Sequence, residues 1–232
     1  MEPRTPSDVK QLTTPCHAGA RSRFRSLHEG VPSVPSAPFP DLTVPGTLVI
    51  GTRYADGPEQ QQAVVEAESG TLATPPAGLA AVSWFFSTDG ETVLTLARWT
   101  DDTAVPPAGP PRYRLYRSLV EEQETRVPGC LITAAFDVDG PERQRAFTDA
   151  VIEAQPREGG HPGAISAHFL HSVDGSRVLL YTEWTSVEAH QEAAEAGDHD
   201  KGHELFSGTP GVRLTHGGRF HLYRTLRRDP AS

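Results

Sequence analysis

Cysteine is scarce in this sequence, and basic residues are fewer than acidic ones. Two cysteines occur among the 232 residues, Cys16 and Cys130, and no Cys-x-x-Cys pair is present. This pattern excludes a disulfide scaffold and a four-cysteine zinc site and favours free thiols in a reducing compartment. The chain has 30 acidic and 21 basic residues, for a net charge of −9. Because phosphate contacts need clustered lysine and arginine, we expect no nucleic-acid partner.

Long apolar runs are also absent. The longest apolar stretch, near residues 77–86, is about ten residues long, whereas a transmembrane helix needs roughly 20. Residues 1–7 do not contain the apolar segment of a secretory signal. We therefore expect a soluble, cytoplasmic protein without membrane contact.

Three glycine signatures of well-known enzymes are missing. The sequence has no Gly-x-Gly-x-x-Gly after a strand, no Gly-x-x-x-x-Gly-Lys-[Ser/Thr] and no Gly-x-Ser-x-Gly. A nucleotide or flavin, if one binds, must therefore bind without a dinucleotide-binding fingerprint.

Proline, by contrast, is abundant. Residues 1–43 are rich in proline, serine and arginine and show no apolar period, which predicts a flexible arm. An alternative is an arm that packs across the folded body through Phe24, Leu27 and Phe39, and both interpretations stay open.

After the arm, the sequence occurs twice. Five short segments return in the same order, at distances of 83, 83, 85, 85 and 107 residues; their first copies are Val44-Pro45-Gly46, Asp56-Gly57-Pro58-Glu59, Asp89-Gly90, Trp99-Thr100 and Leu115-Tyr116-Arg117. Ordered matches of this kind indicate internal duplication. We divide the chain into the arm (1–43), a degenerate first repeat (44–126) and a complete second repeat (127–232).

The second repeat predicts the order β-α-β-β-α-β. Strands are expected at residues 130–138, 164–172, 177–184 and 219–226, with helices beginning at Pro141 and at a Thr185-Ser186-Val187-Glu188 capping box. In the first repeat, residues 103–111 are too rich in proline for the second helix. The expected fold class is α+β, with two tandem ferredoxin-like (split βαβ) repeats packed sheet to sheet as a pseudo-dimeric α+β barrel.

The Asp174-Gly175 turn assigns side chains to the two faces of its hairpin. A two-residue turn pairs residues whose numbers add up to 349, so Ile165 is expected opposite Trp184. One face then carries His171, Phe169, Thr182 and Trp184, and the other carries His168, Tyr181, Ser166 and Glu183.

The first of these faces is the predicted pocket for a planar aromatic ligand. Aromatic faces hold flat rings, and a histidine can take a phenolic proton near neutral pH. His190, on the next helix, is expected over the same face. The catalytic candidates are His171, His190 and Trp184; the substrate-binding candidates are Phe169, Thr182, Phe147, Tyr181, His168 and Phe206. Core packing of Trp184 and solvent exposure of the two catalytic histidines are the competing interpretations.

On the opposite face, His168 with Tyr181 and Glu183 predicts either an acid–base pair or a satisfied polar network. The first repeat has Ser83 and Leu96 at the positions of His168 and Tyr181, so the fold does not require the polar pair.

The segment with Asp198, His199 and His203 has the histidine spacing of a helical metal site. Because Gly202 is expected to interrupt the helix, we predict a solvated loop and no metal.

The quoted residues resemble the antibiotic biosynthesis monooxygenase family. The resemblance rests on Pro162-Gly163, Ser172-Val173-Asp174-Gly175 and Tyr181-Thr182-Glu183-Trp184-Thr185-Ser186, with a weaker first copy, and it covers about residues 44–226. Tandem members with a proline-rich arm are similar to oxygenases of aromatic polyketide pathways, including those that open the B ring of angucyclines.

The resemblance implies an O2-dependent oxygenase of a polycyclic phenol or quinone. Its pocket tryptophan corresponds to Trp184, and the polar position six residues later to His190. Some relatives form quinones without a cofactor, and ring-opening relatives use reduced flavin from a separate reductase. A non-redox polyketide cyclase, a ligand- or heme-binding module, and a homodimer remain alternatives.

Overall fold

A computed structural model describes residues 38–120, 123–155, 161–197 and 200–228, with only the backbone of 200–203. Most of the predicted arm therefore lies outside the described residues, including Phe24 and Leu27. Phe39 packs against the barrel described below, where its ring lies edge-on to that of Phe85 with centroids 5.7 Å apart. Leu42 is buried in the same core.

The described residues form eight strands and four helices. The strands are β1 (Thr47–Tyr54), β2 (Leu79–Ser87), β3 (Thr92–Trp99), β4 (Arg112–Val120), β5 (Cys130–Val138), β6 (Ala164–Ser172), β7 (Arg177–Trp184) and β8 (Val212–Arg227). The helices are α1 (Pro58–Thr71), α2 (Pro141–Glu153), α3 (Val187–Glu195) and α4 (Asp200–Gly208). The predicted strand and helix order of both repeats is confirmed, with an additional helix, α4, in the second.

The strands close into one antiparallel barrel in the order β1-β3-β2-β8-β5-β7-β6-β4. The last strand of each repeat crosses to the other: β4 pairs with β6 of the second repeat, and β8 pairs with β2 of the first. This exchange joins the two ferredoxin-like sheets edge to edge, so the predicted α+β barrel of tandem repeats is confirmed.

The first repeat has a single 3-10 turn at Asp102–Ala104 where the second has α3 and α4. The proline-rich segment that follows explains the difference. In the second repeat, however, the prediction of a loop around Gly202 is wrong, because α4 runs through this glycine. A helical glycine costs only about 1 kcal/mol relative to alanine, and Leu205 and Phe206 of α4 pack on the sheet.

Buried glutamines explain why both repeats fold alike. Gln144 of α2 donates from Nε2 to the carbonyl oxygens of Ser172 and Arg177, which flank the β6–β7 turn. Gln61 of α1 makes the same two bonds across the β2–β3 turn. Each amide fixes its helix to its hairpin and satisfies buried carbonyls.

Local contacts also explain why both repeats begin with Val-Pro-Gly. A Cβ atom on Gly129 would clash with the carbonyl oxygen of Thr185, just past the end of β7. The amide of Gly129 donates to the carbonyl of Trp184 at 2.8 Å. Gly46 lies against the carbonyl of Trp99 in the same way. Glycine at this point lets the chain approach the strand end that carries each repeat's tryptophan.

Four buried hydrophobic clusters follow from this topology. One fills the barrel interior, and the others lie between the sheet and the helices outside it. Cys130, a free cysteine, is buried in an outer cluster beside Trp184. Burial raises the pKa of Cys130 to about 11, so it remains a neutral thiol at physiological pH.

Candidate functional site

The observed register confirms the face assignment of the β6–β7 hairpin. His171 pairs with Val178, Phe169 with Leu180, and His168 with Tyr181. The expected pair of Ile165 with Trp184 is wrong, because an irregularity after Ala164 shifts the register and places Ala164 opposite the tryptophan.

Trp184 lies at the centre of a group on the outer face. Its side chain is 6% exposed, and its Nε1 donates to Thr182 Oγ1 at 3.1 Å. The imidazole of His190 meets the indole edge to face, with centroids 5.0 Å apart and planes at 89°. The ring of His161 lies 5.7 Å away at a tilt. The structure thus brings together three residues predicted from the sequence: Trp184, Thr182 and His190.

Helix α3 holds His190 in this position. Ser186 caps the helix, with its hydroxyl accepting from the amide of Ala189 at 3.1 Å. The capping residue is therefore Ser186, and the predicted cap at Thr185 is wrong by one position. The cap fixes the direction in which α3 leaves β7, and His190 then lies one turn into the helix.

His171 occupies the opposite end of the hairpin. It pairs with Val178, six residues before Trp184, which separates the two by roughly 20 Å at 3.3 Å per strand residue. Its ring stacks on Tyr116 with centroids 4.2 Å apart, and its Nε2 lies 2.9 Å from Thr148 Oγ1. Burial lowers the pKa of His171 to about 4. One ligand of ordinary size cannot contact both His171 and Trp184.

Between these two ends, aromatic side chains pack on one another. The ring of Phe136 lies 4.9 Å from that of Phe147 and 4.7 Å from that of Phe206. Phe169 belongs to the same cluster, beneath α2 and α4. In this structure, Phe147, Phe169 and Phe206 form hydrophobic core and join the helices to the sheet.

The second polar group lies on the barrel side of the hairpin. His168 Nδ1 is 2.8 Å from Ser118 Oγ of β4, and Ser166 donates to the Glu183 carboxylate at 2.8 Å. The rings of His168 and Tyr181 meet edge to face at 6.0 Å. The four residues predicted to share this face are therefore together, and Ser118 joins them from the other repeat.

Burial controls the charge of this inner group. It lowers the pKa of His168 to about 4 and raises the pKa of Glu183. Tyr181 is 1% exposed, its hydroxyl has no hydrogen-bond partner within the described part of the chain, and burial raises its pKa. In this group, burial therefore disfavours the charged form of His168, Glu183 and Tyr181 alike.

Sequence reasoning missed four partners of the predicted residues. His161 belongs to none of the predicted strands or helices, although it lies beside Trp184. Ser118, Thr148 and Tyr116 come from distant elements, so hairpin arithmetic cannot find them. The proximity of His161 had one signal: the Pro162-Gly163 turn brings the chain back onto α3, where a Cβ on Gly163 would overlap Ala189.

Among the described residues, no group of three or more His, Cys, Asp or Glu side chains has the arrangement of a metal site. The predicted Asp198, His199 and His203 segment lies outside the described side chains. No helix in the described ranges is long and apolar enough to cross a membrane.

These observations define a class: an α+β barrel of two ferredoxin-like repeats, with an indole–imidazole group beneath the second helix of one repeat. Residues 132–205 match the family model described as antibiotic biosynthesis monooxygenase. The matching segment runs from β5 into α4 and lies within the second repeat. No curated protein matches the chain.

Solved structures give the same architecture. An anthrone oxidase-like protein superposes with a TM-score of 0.63 and 14% identity, over 78% of this chain and 93% of that protein. A monooxygenase-like protein from Listeria innocua superposes with a TM-score of 0.50 and 13% identity, over 76% of this chain and 93% of that one. At such identities the likeness shows the fold alone.

Proposed function

We propose that this protein is an oxygenase of a polycyclic aromatic polyketide, an angucycline-like phenol or quinone, in antibiotic biosynthesis. The observation that carries the proposal is the contact of His190 with Trp184. Both residues fall inside the segment that matches the monooxygenase family. The fold shared with an anthrone oxidase-like protein supports the same substrate class.

In this proposal, Trp184 supplies the wall for the flat substrate and Thr182 fixes the indole through its hydrogen bond. His190 takes the proton of a substrate phenol, because imidazole is the side-chain base suited to neutral pH. The resulting phenolate is electron-rich and reduces O2. When a ring methylene becomes a carbonyl, one oxygen atom enters the ring and the other leaves as water with the two methylene hydrogens.

His171 has a different part in the proposal. Its stacking on Tyr116 and its bond to Thr148 tie β6 to β4 and α2. It then acts on catalysis only by holding the hairpin that carries Trp184 at its other end. Phe147, Phe169 and Phe206 support the same hairpin from the helix side.

A resident flavin does not fit the residues beside Trp184. A flavin phosphate is held best at a helix N-terminus with free amides and no opposing charge. Here the Ser186 side chain takes an amide of the first turn of α3, and Glu188 puts an acid there. Reduced flavin from a separate reductase would therefore enter as a diffusible co-substrate.

Oxygen consumption tests the proposal. Purified protein should consume O2 when mixed with three- and four-ring phenols or anthrones, with or without added reduced flavin. The variant His190→Ala should lower kcat about 100-fold, the lower end for loss of a general base. His216→Ala is the matched control, because His216 is exposed on β8, and it should keep the wild-type rate.

Three results would contradict the oxygenase. One is absence of turnover across the set of phenols under both conditions. Another is equal activity of the His190→Ala variant. The third is conversion under strict anaerobiosis, which would point to the non-redox cyclase of the same fold.

A further inference from the structure

Each repeat pairs its first strand with its last, and we call these two junctions, β5–β8 and β1–β4, the seams of the barrel. The seams are related by the internal duplication but differ in the length of their pairing. At the β5–β8 seam, pairing runs from Leu131 with Phe220 to Val138 with Val212. At the β1–β4 seam, the described strands pair at Leu48 with Tyr113 and Val49 with Arg112, and the Ile50 amide donates to the Pro111 carbonyl. Their pairing does not extend past Tyr113. From Arg114 onward, β4 therefore presents peptide groups that β1 does not pair.

A cavity of about 390 Å³ lies at this open seam. The chain before β1, residues 42–46, runs past β4 without pairing and forms one wall. Leu42 and Leu48 line the cavity and are buried in the barrel core, and Leu115 packs against them. The volume falls within the roughly 300–1,000 Å³ range of small-molecule pockets.

The charges around the cavity cancel. Its charged lining residues are Asp102 and Arg114, which form an ion pair with each other, and Thr47 also donates to Asp102. Breaking this pair to bind an ionised group would leave a partner carboxylate without its counter-charge. The cavity thus offers an apolar floor, a strand edge with hydrogen-bonding groups, and no uncompensated charge in its described lining.

We propose that the β1–β4 seam is a second small-molecule site, which binds an uncharged, mainly apolar molecule bearing hydroxyl or carbonyl oxygen. The apolar part of the molecule lies against Val44, Pro45 and Leu115, and its oxygen atoms bond to the peptide groups of β4. This site lies at the barrel wall, whereas Trp184 lies on the outer face of the second repeat beneath α3. The proposal does not depend on the oxygenase assignment.

A pair of matched probes tests the chemistry. Neutral 2-naphthol should bind, as followed by its own fluorescence, and its 6-sulfonate should bind at least tenfold more weakly. Val44→Trp places a large ring at the cavity wall, at a residue that is 43% exposed, and should weaken 2-naphthol binding at least tenfold. Val173→Trp, at a 55% exposed turn residue elsewhere, should leave the affinity unchanged.

Hydrogen exchange on the wild-type protein locates the site without mutation. Binding of 2-naphthol should slow exchange of amides at residues 42–48 and 114–119, and His190→Ala should not change this effect. Protection confined to residues 182–193 would overturn the proposal, as would unchanged affinity in Val44→Trp. A further outcome is a seam that is already protected without probe and loses this protection when residues 1–35 are removed. That result would mean that the arm occupies the cavity, and the proposal would be wrong.

Discussion

At the residue scale, the inner polar group shows how burial sets protonation. His168 is buried in the barrel, where its Nδ1 lies 2.8 Å from Ser118 Oγ and its ring lies edge-on to that of Tyr181. Removing an imidazole from water disfavours its charged form. The folded protein therefore holds this histidine neutral at a pH where an unfolded chain would protonate it.

The lowered pKa of His168 determines the direction in which the unfolding free energy changes with pH. The pKa of His168 falls from an ordinary value of 6.5 to about 4 on folding, so the unfolded chain binds the extra proton between these values. Stability is unaffected above pH 6.5 and decreases as the pH falls towards 4, by about 2 kcal/mol at pH 5 from this residue alone. Urea unfolding at pH 7.5 and 5.0 measures the loss, which should be smaller in His168→Asn.

Glu183 supplies a control of opposite sign. Its raised pKa means that the folded state takes up a proton before the unfolded state does, which adds stability as the pH falls. Glu183→Gln removes this term, so its stability should drop more steeply with acid than that of the wild type. Equal slopes in all three proteins would show that neither side chain is desolvated as described.

Residue-level prediction from the sequence succeeded where one hairpin contains the answer. The Asp174-Gly175 turn is enough to place His168 opposite Tyr181 and Phe169 opposite Leu180, because a two-residue turn fixes the register. It cannot reveal that Ser118 bonds His168 or that Tyr116 stacks on His171, since these partners come from β4 of the other repeat. The residues of the expected pocket fall into two separate groups because the strand is long. Residues on one face of an eight-residue strand still lie far apart.

At the element scale, the second repeat differs from the first through α3 and α4. The first repeat ends β3 at Trp99 and continues into a 3-10 turn and a proline-rich loop. In the second repeat, α3 follows Trp184, begins at the Ser186 cap and places His190 against the indole. Helix α3 therefore makes Trp184 part of a candidate site, because it places His190 against the indole.

Removing the cap should expose this dependence. Ser186→Ala deletes the acceptor for the Ala189 amide and should cost about 1 kcal/mol of unfolding free energy. Because α3 positions His190, turnover should fall while the affinity of 2-naphthol for the seam stays the same. Ser186→Asp, another good N-cap residue, should restore both stability and rate. Full activity in Ser186→Ala would show that α3 holds His190 without its cap.

Element prediction was accurate where turns and prolines mark the boundaries. Pro58 and Pro141 begin α1 and α2, and Asp-Gly turns end β2 and β6, as the repeated segments indicate. The sequence did not predict α4, because Gly202 and the surrounding polar residues conceal the apolar contacts of Leu205 and Phe206, which exist only once the sheet is present. The short pairing of β1 with β4 was also beyond reach, since pairing between distant strands has no local signal.

At the scale of the whole molecule, the barrel is a pseudo-dimer of two repeats in one chain. Each repeat donates its last strand to the other, so neither sheet is complete alone. The two repeats nevertheless have different roles in our proposals: the second carries the indole–imidazole group, and the first contributes the open seam. Duplication permits this division because each copy can change while the shared barrel keeps both folded.

The exchange of strands predicts how an isolated second repeat behaves. A fragment of residues 127–232 loses β4, the partner of β6, and β2, the partner of β8. Two such fragments can restore a closed barrel if β8 of each pairs with β6 of the other, which removes both open edges. We therefore expect the fragment to be dimeric in light scattering and to dissociate and unfold in one concentration-dependent transition, whereas a fragment of residues 44–126, whose β1–β4 seam is short, should not fold. A stable, folded monomer of residues 127–232 would contradict the expectation and would mean that the second repeat closes its sheet without the first.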